Sequence, residues 1–206
     1  HNAAMKIQFP NIAIVGTGAM GRGIAQIAAQ AGSQVFLLDA NPGAADAARA
    51  ALQEQWNKLV AKGRIEADQA TALTARLHPV TTVADLAACD LVVEAIVERL
   101  DAKQALVREL EAVLRPEAAL ASNTSSLSVT AIAATLHNPQ RMAGLHFFNP
   151  VPVMKLVEVV AGLKTDPALC TALAAQVRQM GHTPVQVQDS PGFIVNHAGR
   201  GYTTEA

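Results

Sequence analysis

Ile12-Ala-Ile-Val-Gly-Thr-Gly-Ala-Met-Gly-Arg-Gly23 is the stretch whose reading decides the fold. Its opening, rich in Ile and Val, reads as a strand buried on both faces of a parallel sheet. The run breaks at Gly16-x-Gly18-x-x-Gly21 and passes into an amphipathic segment, 19–31, with helical spacing. Strand, glycine turn and helix in that order make a dinucleotide-binding unit. Gly16 permits the tight turn, Gly18 lets a pyrophosphate approach the backbone, and Gly21 lets helix pack on strand. The helix start at Ala19 and Met20 offers unpaired N–H groups and the positive end of its dipole to phosphate.

A second strand follows, Gln34-Val-Phe-Leu-Leu-Asp39. Asp39 sits at its end, near the spacing at which an acid accepts hydrogen bonds from the adenosine ribose. A carboxylate there repels a 2′-phosphate, and no Arg follows in Ala40-Asn41-Pro42. The expected cofactor is therefore NAD rather than NADP. No Gly-Lys-Ser/Thr accompanies the glycines, which argues against a nucleoside-triphosphate loop.

Composition bounds the rest. The 206 residues are 50% hydrophobic with a formal net charge of −1, as in a globular protein with an ample core. No basic patch points to nucleic acid, and no apolar run is long enough to span a bilayer. Cys89 and Cys170 lack metal-ligand or CxxC spacing and read as reduced thiols of a cytoplasmic protein; no metal is expected. Residues 1–4, ahead of Met5, read as an expression scar.

Beyond Asp39, an Ala-rich helical stretch runs from Pro42 to Lys62, stops at Gly63, and returns through a second helix from Glu66 to Ala75. This hairpin exceeds what a crossover needs and should project from the sheet. Lys58, Lys62 and Arg64 gather near its bend, where a solvated face is the simpler reading. Further strands are expected at Leu77–Thr81, Leu91–Ile96 and Ala118–Ala121, with a helix from Leu100 to Leu114 ended by Pro116. Glu94, Glu98 and Ser122-Asn-Thr-Ser-Ser126 then fall at carboxyl ends of strands, the ligand-binding edge of open α/β sheets. The Ser/Thr cluster also suits an N-cap for a helix at Val129–Ala134.

Arg141–Phe147 and Leu156–Val160 read as strands six and seven. The link between them is too short for a helical crossover, so they should run antiparallel. A symmetric turn around Pro152 sets His146 opposite Glu158 on one face. A carboxylate on one imidazole nitrogen fixes the tautomer and leaves the other nitrogen to take a proton. His1, His78, His137, His182 and His197 have no comparable partner in the sequence. A helix from Pro167 to Met180, a strand Pro184–Val187 and a turn at Asp189-Ser-Pro-Gly192 follow. Phe193-Ile-Val-Asn196 then opens a new apolar helix. The expected fold is α/β: a Rossmann-type, doubly wound, mostly parallel sheet with an antiparallel extension and a projecting helical hairpin. Residues 5–189 form this domain, and 190–206 begin a truncated helical one.

Through GTGAMGRGIAQ, DLVVEAIVE, ASNTSSLS, GLHFFNPVPVMKLVEVV and DSPGFIVN, the chain resembles the NAD-dependent (S)-3-hydroxyacyl-CoA dehydrogenases over residues 12–196. Lens λ-crystallin and L-gulonate dehydrogenase share parts of the pattern. The resemblance implies interconversion of 3-hydroxyacyl-CoA and 3-oxoacyl-CoA, with His146 as base and Glu158 orienting it. It implies that Ser125 holds the substrate's 3-oxygen and that Asn196 completes the site. Glu98, Lys103, Ser125 and Asn149 become cofactor contacts beside Gly16, Gly18, Ala19, Met20, Gly21 and Asp39. Lys62 becomes a coenzyme A contact, which overrides the solvated-face reading there. Gln55 stands where the family has a coenzyme A-binding serine, and His197 where it has an arginine. The family's helical second domain implies a homodimer for the full-length protein, and NAD binding with weak or no turnover for these 206 residues. A free hydroxy acid substrate, or an NAD-binding module without turnover, stays open as the alternative.

Overall fold

The computed structural model describes residues 6–189. Eight strands form one sheet: β1 (Asn11–Val15), β2 (Gln34–Leu38), β3 (Leu77–Pro79), β4 (Leu91–Glu94), β5 (Ala119–Ser122), β6 (Met142–Phe147), β7 (Leu156–Ala161) and β8 (Thr183–Gln188). Their order is β3-β2-β1-β4-β5-β6-β7-β8, and every neighbouring pair is parallel except β6 and β7. The first six strands have the 3-2-1-4-5-6 order of a dinucleotide-binding sheet, which reverses direction between β1 and β4 and opens a crevice there.

Alternation along β1 assigns the two faces. Ile12 and Ile14 enter one core with α1 (Ala19–Gln30), α2 (Ala44–Ala61) and α6 (Pro167–Gln179). Ala13 and Val15 enter the other with α4 (Leu100–Val113) and α5 (Val129–Ala133). Both faces being covered, the central strands β1, β4 and β5 are apolar nearly throughout rather than alternating. The hairpin of α2 and α3 (Ala67–Ala75) is anchored by Leu52 and Trp56, both buried, while its bend at 61–64 is exposed.

Two strands end two residues earlier than the sequence reading places them. β3 stops at Pro79 instead of Thr81, because the chain turns into a single 3₁₀ turn, Val83–Leu86. The Asp85 carboxylate draws that turn in by accepting from Thr81 N and Thr82 N. β4 stops at Glu94 instead of Ile96, since the Glu94 side chain accepts from Ile96 N at 3.0 Å and takes the place of a strand partner. The expected expression scar at 1–4 and the expected helix from 190 onward lie outside the described residues.

Candidate active site

The glycine turn has the geometry its sequence predicts. Gly16 has φ +93°, and a Cβ there would lie 2.6 Å from Ala95 O. A Cβ on Gly21 would sit 1.7 Å from Gly16 O, so the α1–β1 contact is closed to any side chain. Gly18, the residue preceding α1, is different. Nothing lies within 4 Å of the position its Cβ would take. Open space over Gly18, beside the first N–H groups of α1, fits a pyrophosphate lying against the backbone.

Asp39 directly follows β2, at one end of the crevice. The β1–β2 register, Val15↔Leu38, carries Thr17 beside Asp39. Asp39 Oδ2 accepts from Thr17 N at 2.7 Å and Thr17 Oγ1 at 2.8 Å, and Oδ1 accepts from Asn41 N at 2.9 Å. Partial burial pushes this carboxyl's pKa up, but the three donors outweigh it and hold it below the ordinary aspartate value.

At the other end of the crevice, a cavity of about 350 Å³ is bordered by Met20, Glu98, Asn123, Ser125, His146 and Asn149. β6 and β7 meet there with His146 and Glu158 directly opposite, and His146 Nδ1 lies 2.8 Å from Glu158 Oε1. Both side chains are partly buried, and the Phe148 ring packs against the imidazole with centroids 4.5 Å apart. The carboxylate occupies Nδ1, so Nε2 is the nitrogen left for proton exchange.

Glu98 collects the Ser/Thr loop. Its carboxylate accepts from Thr124 Oγ1 at 2.8 Å, Ser125 N at 3.0 Å, Ser125 Oγ at 3.2 Å and Ser126 Oγ at 3.3 Å. Burial raises its pKa, but the Ser125 amide, the Thr124 hydroxyl and the Lys103 charge together bring it below the ordinary glutamate range. Ser128, further along, caps α5 by accepting from Ala131 N, so the capping role passes to a residue after the 122–126 cluster.

One residue placed at a strand end, Glu94, and one expected cofactor contact on α4, Lys103, do something else. Glu94 is almost fully buried; its carboxylate takes the Lys103 ammonium at 2.8 Å on both oxygens and the Ser122 hydroxyl. It is thus part of the wall, not a ligand contact. Lys103 borders the cavity, yet its Nζ is spent on Glu94 and Ile96 O and lies 3.4 Å from Glu98. This buried ammonium holds the 95–98 loop between β4 and α4. Lys62, the residue capping the C-terminus of α2, and Gln55 are exposed on the hairpin and do not border the cavity. Asn196 lies outside the described residues, as do Phe193, Ile194, Val195 and His197.

Sequence reasoning passed over Thr17 and Asn123. Asn123 Oδ1 accepts from Phe147 N at 2.9 Å and ties the end of β5 to the residue after His146. Its signal was its place at a strand's carboxyl end, which did not separate it from its neighbours. Thr17 carried no signal, since the middle position of Gly-x-Gly is unrestricted in the fingerprint.

Comparison with known proteins agrees with this geometry. The profile of "3-hydroxyacyl-CoA dehydrogenase, NAD binding domain" matches residues 11–190. The chain is 46% identical to the 3-hydroxyadipyl-CoA dehydrogenase of Escherichia coli K12 over 98% of its own length and 42% of that protein's. It is 42% identical to a probable 3-hydroxybutyryl-CoA dehydrogenase of Bacillus subtilis, over 92% of its own length and 66% of the relative's. A crystal structure of 3-hydroxybutyryl-CoA dehydrogenase from Escherichia coli K12 superposes with a TM-score of 0.88 at 46% identity, covering 96% of this chain and 42% of that one. The chain thus spans between two fifths and two thirds of the length of these relatives. The glycine turn, the acid ending β2 and the sheet order all fit NAD as the cofactor, and the chain belongs to the 3-hydroxyacyl-CoA dehydrogenase family, its residues 11–190 matching that family's NAD-binding domain.

Proposed function

We propose that residues 5–189 form the nucleotide-binding part of an NAD-dependent (S)-3-hydroxyacyl-CoA dehydrogenase. The observation that carries the reading is the 2.8 Å contact of His146 Nδ1 with Glu158 Oε1 beside a cavity that Ser125 and Asn149 also border. Bound NAD supplies the hydride acceptor, and the redox chemistry is the cofactor's own.

The chain's residues position groups and move one proton. Glu158 holds the Nδ1 proton, so Nε2 carries the lone pair that takes the proton of the 3-hydroxyl; in the reverse direction the imidazolium returns it. Ser125, with Asn196, donates to the substrate's 3-oxygen as charge develops there. A serine hydroxyl has a single proton to donate. Ser125 Oγ donates to Glu98, so it must rotate off that carboxylate to reach substrate, while the Ser125 amide keeps the loop anchored. Asn149, Glu98 and Lys103 shape the nicotinamide side, Lys103 through the loop it holds.

A CoA ester is supported by the exposed Lys62, with Gln55, on the hairpin. The names of two relatives favour a short acyl or dicarboxylic acyl chain, and that of a third, a fatty acid oxidation complex subunit, favours a place in fatty acid β-oxidation. A cytoplasmic homodimer completes the reading; the two free, buried cysteines suit a reducing compartment.

The test is a competition assay on the complete gene product, with 3-hydroxybutyryl-CoA and 3-hydroxyadipyl-CoA against free hydroxy acids such as L-gulonate. NADH formation at least about a hundredfold more efficient with a CoA ester is expected, since a recognised CoA moiety is differential binding energy. Preference for the free acid overturns the CoA assignment. No turnover alongside intact NADH binding overturns the enzyme assignment and leaves a nucleotide-binding module.

A further inference from the structure

Thr17 lies between the two glycines of the turn and is nearly buried. Nothing in the glycine fingerprint requires a hydroxyl there. Yet its N–H and its O–H both donate to the same oxygen, Asp39 Oδ2, at 2.7 and 2.8 Å. Asn41 N takes the other oxygen at 2.9 Å. A carboxylate accepts about four hydrogen bonds. Three are filled from within the protein, and one acceptor direction, on Oδ1, is left for the cofactor.

We infer that Thr17 is a specificity-determining residue for the dinucleotide: its hydroxyl locks the Asp39 carboxylate in the orientation that admits a free ribose hydroxyl and turns away a 2′-phosphate. The inference rests on the NAD reading and deepens it. With two donors on one oxygen and a third on the other, the carboxylate cannot swing from an incoming ribose without breaking several hydrogen bonds at once. A ribose hydroxyl donates to the remaining Oδ1 lone pair. A 2′-phosphate brings negative charge and no proton to donate, and meets a fixed negative charge that cannot retreat. The repulsion generally credited to the acid alone therefore depends on a neighbour that holds it still. If the hydroxyl is removed, Oδ2 keeps only the Thr17 amide, and the carboxylate gains room to tilt away.

Thr17→Val is close to isosteric and places a methyl at a buried position, while Thr17→Ser keeps the hydroxyl without the methyl. The 206-residue chain and both variants are titrated with NADH and NADPH by fluorescence. In parallel, the Asp39 carboxyl is followed by ¹³C NMR against pH. Thr17→Val is expected to weaken NADH about tenfold, as for a lost hydrogen bond to a charged group, and to narrow the NADH-over-NADPH preference by a similar factor. Its Asp39 midpoint should rise. Thr17→Ser should stay within about twofold of the parent on both ligands, with the midpoint unmoved. An unchanged preference ratio in Thr17→Val overturns the inference, as does equal weakening of both ligands or a serine variant that behaves like the valine one. A parent chain that binds neither dinucleotide overturns the nucleotide reading, and the inference with it.

Discussion

His146 and Glu158 stand directly opposite each other on antiparallel strands β6 and β7, with Nδ1 and Oε1 2.8 Å apart. Opposed residues on one face of an antiparallel pair bring their Cβ atoms to about 5 Å, within reach for an imidazole and a glutamate. The pair is therefore fixed by backbone register and does not depend on the packing of a loop. A one-residue slip of either strand would turn that strand's member to the opposite face and part the two side chains.

Removing either member should separate chemistry from binding. In the complete gene product, His146→Gln should lower turnover by two or more orders of magnitude while NADH binds within about threefold of the parent. Glu158→Gln keeps the shape but loses the charge that holds the tautomer, and should cost at least about a hundredfold in turnover. Steady-state kinetics with fluorescence titration checks both; near-parental turnover in His146→Gln removes that residue from the role.

The glycines of the turn should respond in opposite ways. Gly21→Ala puts a methyl onto Gly16 O and should destabilise the fold by at least about 2 kcal/mol, read as a lower midpoint in urea. Gly18→Ala meets nothing in the protein, at a φ of −66° that alanine adopts freely. It should leave the midpoint close to the parent's and weaken NADH about tenfold or more, because the methyl takes space needed by the pyrophosphate. If Gly18→Ala binds NADH like the parent, the pyrophosphate does not lie over that residue.

The buried Lys103–Glu94 pair should act as a unit. Lys103→Met leaves an uncompensated carboxylate in the interior and should cost about 3–5 kcal/mol in urea unfolding. Adding Glu94→Gln to that variant should recover most of the loss. Additive losses in the double variant would show that the two side chains do not depend on each other.

Acid should act through Asp39 and Glu98. Both carboxyls lie below their ordinary values of 3.8 and 4.5 in the folded chain, because of the donors and, for Glu98, the nearby ammonium. A group that binds its proton more weakly folded than unfolded adds stability that is complete above the unfolded value. That stability is lost as pH falls through the folded value. Asp39→Asn and Glu98→Gln should each be less stable than the parent at pH 7, with the gap closing as pH falls below the ordinary carboxylate values. A gap that persists unchanged at low pH would mean that the ionised forms are not what these sites stabilise.

Much of the site was legible because local periodicity carried it. The Gly16–Gly21 turn, Asp39 and the antiparallel His146–Glu158 pairing all follow from short-range spacing, in a strand, a turn or a link too short to cross over. The Glu94–Lys103–Glu98 arrangement was not legible. Glu94 stood at a strand's carboxyl end just as Glu98 does, and spacing alone made both ligand-side candidates. Which one was turned inward depended on Lys103, nine residues later on α4, and on Ser122 of a neighbouring strand, since a carboxylate is stable in the interior only where an ammonium and a hydroxyl converge on it.

The sequence by itself determined the fold class, the glycine turn after the first strand, the acid that follows the second and the two residues set face to face across β6 and β7. Each of these depends on neighbours in the chain or on one hairpin's register. Only the tertiary structure decided that Glu94 belongs to the wall, that Ser125 rests on Glu98, and that Thr17 holds Asp39. Those three relationships join residues 22 to 28 positions apart, on separate elements, and form only once the parallel strands have brought their carboxyl ends to a common edge.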